Sequence, residues 1–347
     1  MYRPVFSSDS EAWANVAGGR SRGLVYTGLL TFGAHLDLEA LDGGPGGELG
    51  IVGLGIYGGN VSPELVGDLG IISNIAGVST VRLFKAWYRR RFLDDALDVK
   101  AGVLPVDEDF AVLDTALLFI NSGFGTIQTL ALNTPTPIYP NGVLGLRARM
   151  TLPGGVELQL GAYDGDAGDP TQRRHVSELS WSRDGGGFFV GELGWLPSSS
   201  VRLAVGGAYH SGRVSADRAA LSLGYVMAEA DLGGTAGSRW SVLSHASVAG
   251  PEPATVDAYA DVGVVVTGGA WSRADDQLGV GVAWTRFSGA RTTPSRLARS
   301  GEIVAELTYR AALWSWLFVQ PDLQWHRNPG GRRADALVAG LRVRASL

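Results

Sequence analysis

Residues 53–58 read GLGIYG, the G-x-G-x-x-G spacing with which a strand-to-helix turn receives a pyrophosphate. The flanking residues do not fit that chemistry. Gly59-Asn60-Val61-Ser62-Pro63 breaks a helix rather than starting one, and after Glu64 and Asp68 no acid follows until Asp94. Residues 164–169, DGDAGD, resemble the start of a calcium loop, but positions six and twelve hold Asp169 and His175 where glycine and glutamate are required. A looser oxygen-ligand Ca²⁺ site in that loop is the alternative reading, and no other cofactor is expected. The five histidines, at 35, 175, 210, 245 and 326, have no close metal-ligand spacing, and there is no cysteine. No triad of nucleophile, base and acid can be assembled, so no enzymatic activity is expected.

The charges follow a different pattern. Arg147 and Arg149 are separated by one residue, as are Asp37 and Glu39, and each pair alternates with apolar neighbours. In an extended strand such residues share one face. The alternation recurs widely. In 303–311, Ile303, Ala305, Leu307, Tyr309 and Ala311 stand opposite Glu302, Glu306, Thr308 and Arg310. In 317–325, Leu317, Val319, Leu323 and Trp325 stand opposite Gln320, Asp322, Gln324 and His326. The last segment sets Leu341 and Val343 against Arg342 and Arg344.

Composition narrows the class. The 347 residues include only 18% charged residues, below the usual ~25% of soluble chains. Yet no apolar run approaches the ~18 residues of a spanning helix. A chain this apolar, rich in glycine (50) and tryptophan (10), with alternating segments and uncharged apolar faces, is expected to be a transmembrane β-barrel. The net charge of −5 argues against a general affinity for nucleic acid. Export requires a leader; the first residues have no apolar core of one, so a leader is expected to have been removed or to lie outside this chain.

Seventeen segments read as strands, and the weakest, 175–183, is short and polar. Treating it as part of a loop over 164–187 leaves an all-β, 16-stranded antiparallel barrel, with both termini periplasmic and one domain over residues 1–347. Long extracellular loops are then expected at 59–80, 105–141, 164–187 and 288–300, folded into the lumen, with short turns at 42–47 and 196–199. Trp195, Trp240, Trp271, Trp314 and Trp316 fall beside the turns, and Trp13, Trp284 and Trp325 toward the loops, as two aromatic girdles.

The chain resembles the carbohydrate-selective porins of the OprB family. The resemblance is carried by Leu65-Val66-Gly67-Asp68-Leu69, by Arg82-Leu83-Phe84-Lys85-Ala86-Trp87-Tyr88, and by Leu118-Phe119-Ile120-Asn121-Ser122-Gly123-Phe124-Gly125. Gly191-Glu192-Leu193-Gly194-Trp195, Gln320-Pro321-Asp322-Leu323-Gln324 and Asn328-Pro329-Gly330-Gly331 continue it over nearly the whole chain. It implies an outer-membrane barrel that passes sugars passively. Lys85 stands where relatives often carry a neutral or acidic residue, Val103 where a polar one is common, and Leu347 where a terminal aromatic is usual.

For such a pore the 37 residues 105–141 are the expected constriction, since a loop this long inside a compact domain usually has a function. The expected wall residues are Asp37, Glu39, Lys85, Arg89, Arg147 and Arg149, with Trp87 for contact with a sugar ring. The phase of Lys85 and Arg89 is ambiguous, because Arg82 and Arg90 have the opposite parity. The loop is expected to contribute Asp107, Glu108, Asp109 and Asn121 as polar groups and Phe119 and Phe124 as ring contacts. Sugars, outer-membrane lipid and lipopolysaccharide are the expected partners of a monomer or homotrimer. A general or ion-selective porin on the same scaffold is the alternative, ahead of a closed-barrel adhesin or hydrolase. The glycines of GLGIYG acquire a role in this reading. Gly53, Gly55 and Tyr57 are expected to face the lumen, with Val52, Leu54 and Ile56 on the lipid side, so that residues 105–141 seat against Gly53 and Gly55.

Overall fold

The computed structural model describes residues 2–39, 46–168, 185–212, 220–234, 237–250, 254–268, 273–288 and 300–347. Sixteen strands form one closed antiparallel barrel in sequence order. They are β1 (Tyr2–Gly19), β2 (Gly23–Asp37), β3 (Glu48–Gly58), β4 (Thr80–Phe92), β5 (Leu97–Leu104), β6 (Val143–Leu152), β7 (Val156–Asp164) and β8 (Gly187–Ser198). The second half comprises β9 (Val201–His210), β10 (Leu221–Asp231), β11 (Ser238–Ala249), β12 (Val256–Gly268), β13 (Gln277–Phe287), β14 (Gly301–Trp314), β15 (Leu317–Arg327) and β16 (Ala334–Ser346). Pairing of β1 with β16, from Ser7↔Ser346 to Gly19↔Ala334, closes the barrel, so every strand has a neighbour on each side. The segment 175–183, Trp271 and part of the 42–47 turn lie outside the described residues.

Period-2 alternation decides which side chains face out. Leu24, Ile51, Leu146, Leu160, Val205, Val226, Val262, Val280 and Leu307 are exposed on the outer surface, an apolar band with no charge inserted among them. Trp195, Trp240, Trp314 and Trp316 ring the turn end, the last two stacked at 5.6 Å between centroids, and Tyr26, Trp284 and Trp325 are exposed toward the loop end.

Trp13 departs from the expected girdle. It is fully buried on the inner face of β1, between Glu11 and Asn15. Its Nε1–H donates to Glu11 Oε2 at 2.7 Å, and its ring covers Gly340 directly across on β16, where a Cβ would sit 2.2 Å from it. The same cross-strand pairing recurs as Trp87 over Gly50, Tyr57 over Gly28, Tyr163 over Gly145 and Tyr225 over Gly206. A glycine opposite a large ring lets the ring lie flat on the sheet.

That pairing also explains GLGIYG, and it reverses the expected faces. Val52, Leu54 and Ile56 point inward and are buried, whereas Ile51 and Tyr57 are exposed on the outside. Gly53 lies under the outward ring of Phe32, opposite it on β2, and a Cβ at Gly55 would meet Leu30 at an ordinary 3.6 Å. The loop therefore does not seat on Gly53 and Gly55. Leu54 and Ile56 instead pack with Leu29, Ile75, Phe84 and Tyr139, an apolar contact between the wall and both long loops.

The lumen is not uniformly polar. On β8–β13 the inward positions include Val190, Ala204, Leu223, Met227, Leu243, Val265 and Ala283, which form one buried cluster with loop residues Phe110, Leu113, Leu118, Phe119, Phe124, Ile127 and Leu130. Polar lining is needed only where water reaches the wall. Where a loop covers it, the inner face becomes a hydrophobic core, stabilised by burial at about 25 cal/mol per Å².

Candidate functional site

Residues 105–142 leave β5 and cross the lumen before returning to β6. A turn of 3₁₀ helix (Asp114–Leu118) and two single helical turns (Ser122–Gly125 and Gln128–Ala131) give the loop its only regular structure among the described residues. A loop inside a barrel must satisfy its backbone amides without water. Here the wall does so. Glu306 on β14 accepts from Ile120 N at 2.6 Å and Asn121 N at 3.0 Å. Glu192 on β8 accepts from Ala111 N at 2.9 Å and from the Tyr225 hydroxyl at 2.8 Å, and Glu229 on β10 accepts from Thr115 N. The second long loop, residues 59–79, is held likewise: Glu302 accepts from Gly70 N at 2.6 Å, from Leu69 N, and from Gly330 N at 2.8 Å.

Asn121 ties these pieces together. Its Nδ2 donates to Gly70 O at 2.9 Å and to Gln324 Oε1 at 3.0 Å, and its Oδ1 caps the next helical turn through Gly123 N. Gln320 on β15 donates to Leu118 O at 2.8 Å, and Gln324 donates to Ile72 O at 3.0 Å. Asn121 is buried and fully engaged, so it is a latch between loops rather than a group offered to a solute. Phe119 and Phe124 are likewise buried, stacked on each other at 4.4 Å, and they rest on the inner faces of β12 and β13. Their seat is glycine, as the sequence reading anticipated in kind, but it is Gly263, Gly279 and Gly281.

The wall charges gather on β4–β6. The phase ambiguity of Lys85 and Arg89 is resolved by a bulge: Val52 pairs with Lys85 while the next residue, Gly53, pairs with Leu83, so Phe84 is the extra residue. Buried Thr80 and Phe84 lie on the inner face before the slip, and Lys85, Trp87 and Arg89 lie on it after. Arg90 turns outward, against the ring of Phe92. Lys85 Nζ donates to Glu108 at 2.6 Å, joining wall to loop. Arg147 binds Asp98 at 2.6 Å and approaches Asp109 at 3.3 Å. Lys100 reaches Asp109 at 3.3 Å and stands 5.4 Å over the Trp87 ring, which His35 meets edge-on. Arg149 lies 4.0 Å from Asp109, and Arg89 binds Asp98. Lys85, Arg89, Arg147, Arg149, Trp87, Glu108 and Asp109 are thus brought together.

Asp37 and Glu39 are not part of this group. Asp37 ends β2 at the turn end and accepts from Glu39 N at 3.0 Å, while Glu39 lies beyond the strand, exposed. Asp37, the last residue of β2, is paired across with Glu48 at the turn end, and the strand stops before Glu39. Leu117, in the 3₁₀ turn of the 105–142 loop, is exposed. In the 164–169 segment the described carboxylates cap their own turn, Asp164 receiving Asp166 N and Asp166 receiving Gly168 N, each at 2.9 Å; Asp169 lies outside the described residues. Residues 19–23, GRSRG, match the spacing of a nucleophile elbow, yet they form the β1–β2 turn with no helix following.

Asp107 sits behind the charged wall, in the loop. Its Oδ2 accepts from Tyr139 N at 3.1 Å, and its Oδ1 is buried with no partner. Burial, with the Glu108 charge adding to it, pushes this carboxyl up to about 7. The folded protein therefore holds a proton here that the unfolded chain releases near pH 4. The stabilisation is complete below that pH, declines as pH rises to about 7, and is then flat. Asp107→Asn is expected to flatten the pH 4–7 limb of thermal unfolding in detergent, worth roughly 4 kcal/mol by linkage. An unchanged limb would locate the titration elsewhere.

The family model for the carbohydrate-selective porins, OprB family, matches residues 21–347. The chain belongs to the OprB family. Porin B of Pseudomonas aeruginosa is 26% identical over 390 residues, covering 96% of this chain and 85% of that protein. The high-pH structure of Pseudomonas putida OprB superposes with a TM-score of 0.88 at 23% identity, covering 100% of this chain and 94% of the other. The low-pH structure of the same protein gives 0.63 at 20% identity, covering 100% and 92%. An engineered porin of Rhodopseudomonas blastica gives 0.62 at 13% identity over all of both chains, a likeness of fold. This OprB-family chain is an outer-membrane β-barrel porin of a non-enzymatic channel family. Sequence reasoning missed Glu11, Asp98, Lys100, Glu192 and Glu229 as holders of the lumen. Glu302 and Glu306 were legible as inward acids four residues apart on β14; that they face loop amides was not.

Proposed function

We propose that this porin passes mono- and small oligosaccharides by passive diffusion, with residues 105–141 as its constriction, long loops at the cell surface and both termini periplasmic. The observation that carries this reading is the division of the lumen. One side is filled by a loop pinned to wall carboxylates, while on β2–β6 the inward polar side chains His35, Glu48, Lys85, Arg89 and Arg149 remain partly open to water. A sugar sheds hydration along such a wall only if donors and acceptors replace it, and guanidinium forks beside carboxylates supply both.

The test is uptake of labelled glucose into proteoliposomes. Entry should exceed that into protein-free vesicles and saturate as sugar concentration rises. Flux no greater than in empty vesicles would remove the reading. The ion-selective alternative draws on the same cationic wall and is read separately, from reversal potentials in a salt gradient.

A further inference from the structure

The charges on β4–β6 do not balance. Among the described residues, Arg89, Arg91, Lys100, Arg147 and Arg149 share two carboxylates on β5 and the loop, Asp98 and Asp109, at separations up to 4.0 Å. The next carboxylate toward the turn end, Glu48, is itself divided among Arg3 (3.8 Å), His35 (3.6 Å) and Arg89 (4.0 Å). Lys85 adds nothing to the surplus, because Glu108 neutralises it. The cations are also short of acceptors. The Nε–H of Arg149 is buried without a hydrogen-bond partner, and the Nε of Arg147 meets Asp109 at 3.3 Å as an ion pair outside hydrogen-bond geometry. A buried charged donor left unpaired is costly, so the site favours an incoming acceptor. It is reachable: the side chains of Arg89, Arg91 and Arg149 are 29%, 51% and 33% exposed.

We infer that the inner face of β4–β6 is a carboxylate-binding subsite, and that this channel favours sugar acids, such as hexuronates, over neutral sugars of the same size. The inference rests on the sugar-channel reading and adds the substrate class to it. A neutral hexose offers hydroxyls, each a weak acceptor that must also donate. A hexuronate offers the same rim of hydroxyls plus one carboxylate, which a guanidinium holds through two parallel, charge-assisted bonds. The surplus acts before contact as well. Cations lining a low-dielectric cleft raise the local concentration of an anionic solute, and added salt screens the effect within about 8 Å at physiological ionic strength. Because Asp98 and Asp109 keep the site from being purely cationic, a bound anion is held loosely enough to leave, as conduction requires.

The experiment compares labelled D-glucuronate and D-glucose entering proteoliposomes, with the reversal potential of the same protein in a potassium chloride gradient as a second measurement. At low salt glucuronate should enter at least about threefold faster than glucose, the reversal potential should indicate anion preference, and both should weaken at high salt. The variant R91Q/R149Q should bring the flux ratio close to one. R91Q alone, at the more exposed position, should shift it in the same direction and covers the case in which the double variant does not fold. Glucose entering faster than glucuronate in the unaltered protein would overturn this inference and leave the sugar channel standing. A flux ratio unmoved by folded R91Q and R91Q/R149Q would also overturn it. Entry of neither sugar would remove both readings.

Discussion

Glu306→Ala is expected to unseat the long loop and raise single-channel conductance, with the barrel intact. The Glu306 carboxylate receives two buried loop amides, Ile120 N and Asn121 N, at 2.6 and 3.0 Å. Removing the acceptor leaves both donors buried and unpaired, at about 1–3 kcal/mol each. A local cost of roughly 3 kcal/mol moves the seated-to-open ratio about a hundredfold. The effect spreads through Asn121, whose side chain also holds Gly70 of the other loop and Gln324 of the wall. Glu306→Gln keeps one acceptor oxygen and should fall between the two. The β14 ladder to β13 and β15 uses backbone groups only, so heat-modifiable gel mobility should not change. Planar-bilayer conductance and limited proteolysis of residues 105–142 are the measurements. An E306A protein with unaltered conductance and no new cleavage would refute the latch.

Gly281→Val should produce a similar opening by steric means. A Cβ at Gly281 would lie 2.7 Å from the Phe124 ring and 2.9 Å from the Phe119 ring, closer than carbon atoms approach. Those rings are stacked on each other and cannot both retreat while the loop stays seated. Overpacking of this kind costs about 1–3 kcal/mol, and the two further methyl groups of valine enlarge the clash. The loop is the movable partner, because β13 is held by a full ladder on each side. Gly55→Ala is the matched control: its Cβ would meet Leu30 at 3.6 Å on the outer face, so conductance should stay unchanged. If Gly55→Ala opened the channel and Gly281→Val did not, the seat of the loop would be wrongly assigned to β12–β13.

Much of this molecule was determined by its sequence alone. Alternation such as Ile303, Ala305 and Leu307 against Glu302, Glu306 and Thr308 specifies strands and which residues share a face, because a period of two is a local property of extended backbone. The length of residues 105–141 likewise pointed to a functional loop folded into the lumen. Tertiary structure alone decided the rest. The Phe84 bulge reset the phase of β4 and brought Lys85 and Arg89 inward, and a bulge is a mismatch between two strands that neither strand reveals by itself. Trp13 and Gly53 were assigned to the wrong faces because short runs containing glycine and small residues alternate in either phase; the cross-strand partner, Gly340 or Phe32, breaks the tie. The roles of Asn121, Glu192 and Glu306 depend on contacts 33 to 203 residues apart in the chain. Spacing cannot encode such contacts. They form only when closure of the barrel carries distant walls to the same loop, where each buried amide requires an acceptor.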